Sequence, residues 1–215
     1  MIDALLAGGW FFVLAVGLAV AIGLHALGLA RTYVRDLVHV GAGVWVLGFP
    51  FWRTRVVPIV IPFAAVVAIA LAPNDRLRRA MSDGDERWSG VLLYTIAFAV
   101  FTCLAFVDRP FPAAAALLAL SLGDGLGGLV GRRFGTHFFR APGGKRKSLE
   151  GSLTVAVMSA LGVLVASRWL GVHASITTII GAGLVAAVAE GASPRGTDNA
   201  IVPAAVWIVL RAIGT

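Results

Sequence analysis

Asp124 is a carboxylate inside an apolar run, the stretch Ser121-Leu-Gly-Asp-Gly-Leu-Gly-Gly-Leu-Val-Gly-Arg-Arg-Phe-Gly135. A charge near the centre of a bilayer costs about 2.5 to 3.5 kcal/mol on insertion scales, so something must compensate it. Gly123, Gly125, Gly127, Gly128, Gly131 and Gly135 surround it, and glycine lets a backbone bend or approach another group closely. The chemistry that suits this pattern is metal and phosphate binding. Asp124 would hold Mg²⁺ while bare backbone at Gly123, Gly127 and Gly131 meets a phosphate, with Lys145, Arg146 and Lys147 neutralising the remaining charge. Gly127 and Gly131 also form a small-xxx-small pair, a common device of packed membrane helices, so the glycines have a packing reading of their own. Helix packing needs no buried carboxylate, and Asp124 tips the balance towards chemistry.

Three further segments carry reactive types. In Lys147-Ser148-Leu149-Glu150-Gly151-Ser152, Ser148 is placed to cap a helix with Glu150 in its first turn. A helix start offers free N–H groups and partial positive charge to a phosphate, although a plain cap is an even alternative. Arg31, Arg35 and His39 follow one another at i, i+4 and share one helix face. Arginine can grip phosphate bidentately, and His39 can orient phosphate or move a proton, the bland alternative being a hydrogen-bonded structural histidine. Finally, Glu190, Asp198 and Asn199 bracket a turn before Pro203. Two carboxylates from there, meeting Asp124, would supply the hard oxygen ligands Mg²⁺ prefers, whereas Asp198 or Asn199 could equally cap the last helix.

The elements that must position these groups are membrane helices. Of the 215 residues 59% are hydrophobic and 13% charged, against about 25% charged in a soluble domain, and the mean hydropathy is +0.89. The expected fold is all-α, a polytopic transmembrane bundle of about eight spans, with seven or nine as alternatives, forming one integral-membrane domain over residues 1–215. Apolar runs fall at 4–30, 37–52, 56–72, 89–107, 111–130, 151–169, 175–189 and 200–213. The N-terminal run has no preceding basic residue and no clear cleavage pattern, so it reads as a first span rather than a signal peptide. Cys103 is the single cysteine, which excludes an intrachain disulfide and a cysteine zinc site.

Charge orients the bundle. Arg31, Arg35, Arg76, Arg78, Arg79, Arg87, Arg132, Arg133, Arg140, Lys145, Arg146, Lys147 and Arg195, thirteen of the eighteen basic residues, fall after odd-numbered spans. That side is expected in the cytoplasm of a prokaryotic membrane, with both termini extracytoplasmic. Each polar segment named above lies on it. The net charge of +7 therefore reads as topology and contact with anionic lipid, not nucleic-acid binding. The balanced connection from Asn74 to Arg87 reads as a solvated loop, with Arg87, Gly90 and Tyr94 returning to the membrane on the polar side.

Together these segments resemble the polyprenol kinase family, which includes dolichol kinases, phytol kinases and CTP-dependent diacylglycerol kinases. The matching parts are Arg35-x-x-x-His39 with Gly43, then Gly123-Asp124 through Gly127, Gly131 and Gly135, then Lys147-Ser148-x-Glu150-Gly151-Ser152, then Glu190 with Asp198, Asn199 and Pro203. Asp36 departs from the pattern, since relatives often carry a basic residue there, and Gly127 replaces a frequent alanine. The resemblance implies phosphoryl transfer from a nucleoside triphosphate, typically CTP, to an isoprenoid alcohol or diacylglycerol. It extends to phosphatidate cytidylyltransferases, whose longer histidine-containing signature is missing. On this reading Asp124, Asp198 and Glu190 bind Mg²⁺, and Arg35, Gly123, Gly127, Gly131, Lys145, Lys147, Ser148 and Asn199 bind nucleotide. Asp124, Glu150 and His39 are alternative bases. The expected partners are a lipid alcohol, a nucleotide and the membrane, and a homo-oligomer is compatible with the sequence. A transporter or lipid scaffold is the non-enzymatic alternative, against which the lack of an inverted repeat counts mildly.

Overall fold

In the computed structural model of the chain, residues 1–71, 85–144, 146–194 and 196–214 are described, with the side chains of 85–89 left out. The protein is all-α apart from one small hairpin. Helix α1 (Ile2–Ala26) precedes α2 (Arg31–Ala42), which runs into a 3-10 segment, Gly43–Phe51. Then come α3 (Val56–Leu71), α4 (Asp85–Val107) and a broken helix: α5 (Pro110–Leu118), a π-helical stretch Ala119–Asp124, and α6 (Gly125–Phe134). Strands β1 (Phe138–Arg140) and β2 (Arg146–Ser148) pair antiparallel before α7 (Leu149–Trp169), α8 (Ile176–Ala192) and α9 (Asp198–Ala212).

Four helices among the described residues are long and apolar enough to cross a membrane: Ile2–Ala26, Gly90–Val107, Pro110–Phe134 and Leu149–Trp169. Val56–Leu71 and Ile176–Ala192 are apolar but shorter. These are fewer clear spans than the eight expected, and the reasons are local. The run 37–52 is not one helix, because Gly43, Gly48 and Pro50 divert the chain into the tighter 3-10 form. The last run belongs to α9, whose 15 residues fall short of the roughly 20 needed for a perpendicular span.

The broken helix is the core. Every residue of α5 from Phe111 to Leu118 is buried, wrapped by α4, α7, α9 and the 3-10 segment. Four successive alanines, Ala113 to Ala116, let those neighbours come close where no side chain intervenes. Helix α7 packs antiparallel along the whole broken helix. A Cβ at Gly162 would stand 2.8 Å from the Leu118 carbonyl carbon, one at Gly127 would meet Val155, and one at Gly131 would stand 3.3 Å from Gly151 Cα. The outer faces are apolar as well, Leu5 and Phe12 of α1 being 70% and 69% exposed, as expected where the solvent is hydrocarbon.

Candidate active site

Asp124 closes the π-helical stretch, the wide turn at which the broken helix changes phase. Such bulges recur at functional sites because one extra residue re-aims the side chains beyond it. Here Gly123 faces α7, where its Cβ would overlap Ser159 Oγ, and Gly125 faces α2, where its Cβ would stand 2.7 Å from Val40 Cγ2 and 3.1 Å from Asp36 O. Asp124 sits between those two contacts, only partly covered at 23% side-chain exposure. Glu190 arrives from the end of α8 and Asp198 from the start of α9. One carboxylate oxygen from each of the three lies within 4.8 Å of the others.

Three carboxylates this close repel one another strongly when all are ionised, so cations belong here. Lys147 is one of them. Only 9% of its side chain is exposed, its Nζ stands 2.6 Å from Glu190 Oε1, and it also donates to the Glu190 backbone carbonyl. Strand β2 thereby delivers an ammonium group to the acidic cluster. An all-oxygen donor set from three elements suits a hard divalent cation such as Mg²⁺. The neighbouring Asn199 places a buried side chain against His39, and its Nδ2 donates to Gly90 O at 2.8 Å.

His39 is buried beside this cluster, its Nε2 3.8 Å from Asp124 Oδ2. Its Nδ1 lies 3.0 Å from the Arg35 carbonyl, which can only accept. Nδ1 therefore carries the proton, and in the neutral ring Nε2 keeps its lone pair on the side of Asp124. Tyr94 supports the ring from behind at 4.0 Å between centroids. Its hydroxyl donates to His39 O at 2.8 Å, so Ser121 Oγ, 3.1 Å away, donates to it in turn. Gly43 is required at this point, because a Cβ there would come within 2.9 Å of Ser121 Cβ.

The other expected site residues have partners of their own. Gly123, Gly127 and Gly131 turn the side where a Cβ would stand towards α7, and Gly131 also towards Ser148 Oγ, as the packing reading expects. Ser148 is a cap: its buried Oγ accepts from Gly151 N at 3.1 Å. Glu150, expected among the candidate bases, is no member of the carboxylate group. It accepts from Thr136 Oγ1 at 2.5 Å and pairs with His137 Nδ1 at 2.7 Å, tying the hairpin to the first turn of α7. Lys145 lies outside the described residues, as does most of the connection 74–87.

Arg35 remains on the face of α2 beside the cluster, a third exposed, 3.8 Å from Asp36. Asp36, the departure from the family pattern, is buried and ion-paired with Arg132 of α6. On sequence alone Arg132 reads as a topology charge, and Ser121 and His137 carry no assigned role. Arg132 could have been found from the buried acid it must answer. Ser121 carried a weaker signal, three residues before Asp124.

A protein from Synechocystis sp. named phytol kinase is 32% identical over 189 residues, covering 84% of this chain and 79% of its own. The chain belongs to the polyprenol and phytol kinase family. No family model matches it, and no solved structure is significantly similar to it. In this family member, side chains from all four motif segments converge on one end of the bundle: His39 from the first, Asp124 from the second, Lys147 from the third, Glu190, Asp198 and Asn199 from the fourth.

Proposed function

We propose that the protein is a membrane kinase that transfers the γ-phosphate of a nucleoside triphosphate, CTP by family resemblance, to the hydroxyl of an isoprenoid alcohol. The observation that carries this reading is the meeting of Asp124, Glu190 and Asp198 within 4.8 Å beside Lys147 and His39. Phosphoryl transfer asks for that inventory: oxygen ligands for a metal, cations for phosphate oxygens, and a group to take the hydroxyl proton. Asp124, Glu190 and Asp198 would hold Mg²⁺, which when bound supplies charge neutralisation at the phosphates.

The chain's own residues do the rest. Lys147, close to Glu190, offers its remaining donor to a phosphate oxygen, and Arg35 adds a second cation from α2. His39 Nε2 accepts the proton of the lipid hydroxyl as the alcohol oxygen bonds to the γ-phosphorus. The bond from that phosphorus to its bridging oxygen breaks, and the nucleoside diphosphate leaves. Nδ1–H stays bound to Arg35 O throughout and keeps the ring in register. Tyr94 and Ser121 brace it.

The test is purified protein with Mg²⁺, CTP and labelled lipid alcohols. CDP and a lipid monophosphate are expected. Pyrophosphate and a CDP-lipid would instead make it a cytidylyltransferase, and lipid binding without nucleotide consumption would make it a carrier or scaffold. Asp124→Asn should lower turnover at least about 100-fold with unchanged elution on size exclusion; full activity would remove Asp124 from the mechanism.

A further inference from the structure

Away from the polar cluster, α1 stands partly clear of the bundle. Its beginning is tied down, since Asp3 accepts from the Arg53 and Thr54 N–H groups at 2.8 and 2.9 Å. Trp10 lies edge-on to Trp45 at 5.1 Å and covers Gly48, where a Cβ would stand 2.8 Å from the indole nitrogen. Beyond that only Ala21 of α1 is buried. Between α1 and the 3-10 segment remains an apolar crevice of about 590 Å³, lined among others by Leu6, Trp10, Val13, Val44, Leu47 and Phe51.

Val40, one helical turn before the crevice-lining Val44, leads from the crevice towards the polar site. Val40, Val44, Leu47 and Phe51 recur at helical spacing along α2 and the 3-10 segment. The stripe starts at Val40, which packs where a Cβ of Gly125 would stand, one residue from Asp124. From His39 to Gly48 the path covers about 16 Å, four residues of α-helix at 1.5 Å and five of 3-10 helix at 2.0 Å. That is roughly half of the 30 Å hydrocarbon core. A chain whose hydroxyl lies at His39 and Asp124 and whose tail follows the stripe thus reaches Trp10 only if it is long. Gly9, which lines the crevice, has open space where a Cβ would stand, which leaves room for a methyl branch.

We propose that this crevice holds the distal end of the substrate's isoprenoid chain and so selects for chain length, an inference that rests on the kinase reading above. Leu47→Trp and Leu6→Trp fill it without touching the polar cluster. In detergent-solubilised full-length protein, each should lower kcat/KM for phytol or geranylgeraniol about 10-fold or more. Turnover of geraniol, whose tail ends short of the crevice, should hold steady and report that the variant is folded. Equal losses on long and short alcohols, or no loss on either, would overturn the proposal, the second outcome leaving bulk acyl chains as the occupant. If the wild-type protein phosphorylates no prenyl alcohol, the kinase reading fails, and a second measurement still decides the crevice. A long prenyl alcohol with a photoreactive diazirine at its tail tip should label peptides containing Trp10 or Leu47, in competition with unlabelled phytol. Labelling elsewhere, or labelling without competition, would refute the assignment.

Discussion

At the scale of single residues, the site is built by fixing a tautomer and balancing charge. His39 illustrates the first, since the Arg35 carbonyl holds its proton on Nδ1 and leaves Nε2 on the Asp124 side. Removing a general base costs about 10² to 10⁴ in rate, so His39→Gln should lower kcat by that order with little change in KM for the nucleotide. Steady-state kinetics at saturating lipid would show it; an unchanged kcat would return His39 to a purely structural role. Asp36 illustrates the second. Its buried carboxylate is matched by Arg132, and losing the partner of a buried group costs about 1 to 3 kcal/mol. Arg132→Leu should therefore lower thermal stability in detergent, and Asp36→Asn added to it should restore much of the loss. A double variant no more stable than the single one would mean that the pair does not carry the charge balance.

At the scale of elements, the π-helical stretch and the α7 packing seam decide where Asp124 points. The seam tolerates no side chain at Gly162, where a Cβ would press on the Leu118 carbonyl at 2.8 Å. Backbone cannot swing away as a side chain can, so Gly162→Ala should destabilise by about 1 to 3 kcal/mol, read as a lower unfolding temperature, while Gly181→Ala, with open space around it, should be neutral. This seam also explains what the sequence made legible. Asp124, Glu190 and Asp198 stand out because each is acidic beside apolar runs, and their meeting is expected from the placing of all three segments on one side of the membrane. The glycines are ambiguous on sequence alone, because a small residue signals close approach without saying to what. The split of residues 37–52 into α and 3-10 forms was hidden, since hydropathy counts apolar residues and is blind to the phase change that Gly43, Gly48 and Pro50 impose. Glu150 sits beside Ser148 in sequence, while the partners of its carboxylate, Thr136 and His137, come from the segment before β1, which spacing does not reveal.

At the scale of the whole molecule, the bundle has two chemically different ends, and their charges predict how it lies in a membrane. One end gathers Asp3 with the 53–54 turn, Arg211 with Asp108 at 3.1 Å, and Trp169, whose indole donates to Leu47 O. The other gathers the hairpin, Lys147 and the carboxylate cluster. In the sequence, thirteen of the eighteen Lys and Arg residues fall after odd-numbered apolar runs, the connections to which the hairpin belongs, and an excess of this kind in short connections is what the cytoplasmic side is expected to carry. The nucleotide of the proposed kinase would come from that side as well, so the charge bias and the proposed chemistry give one expected orientation. In a Cys103→Ser background, Arg140→Cys in the hairpin and His173→Cys before α8 place one exposed thiol at each end. A membrane-impermeant maleimide added to intact cells should label His173→Cys and spare Arg140→Cys until the membrane is permeabilised. The reverse pattern would put the cluster on the side without nucleotide and would count against the kinase as well as the orientation.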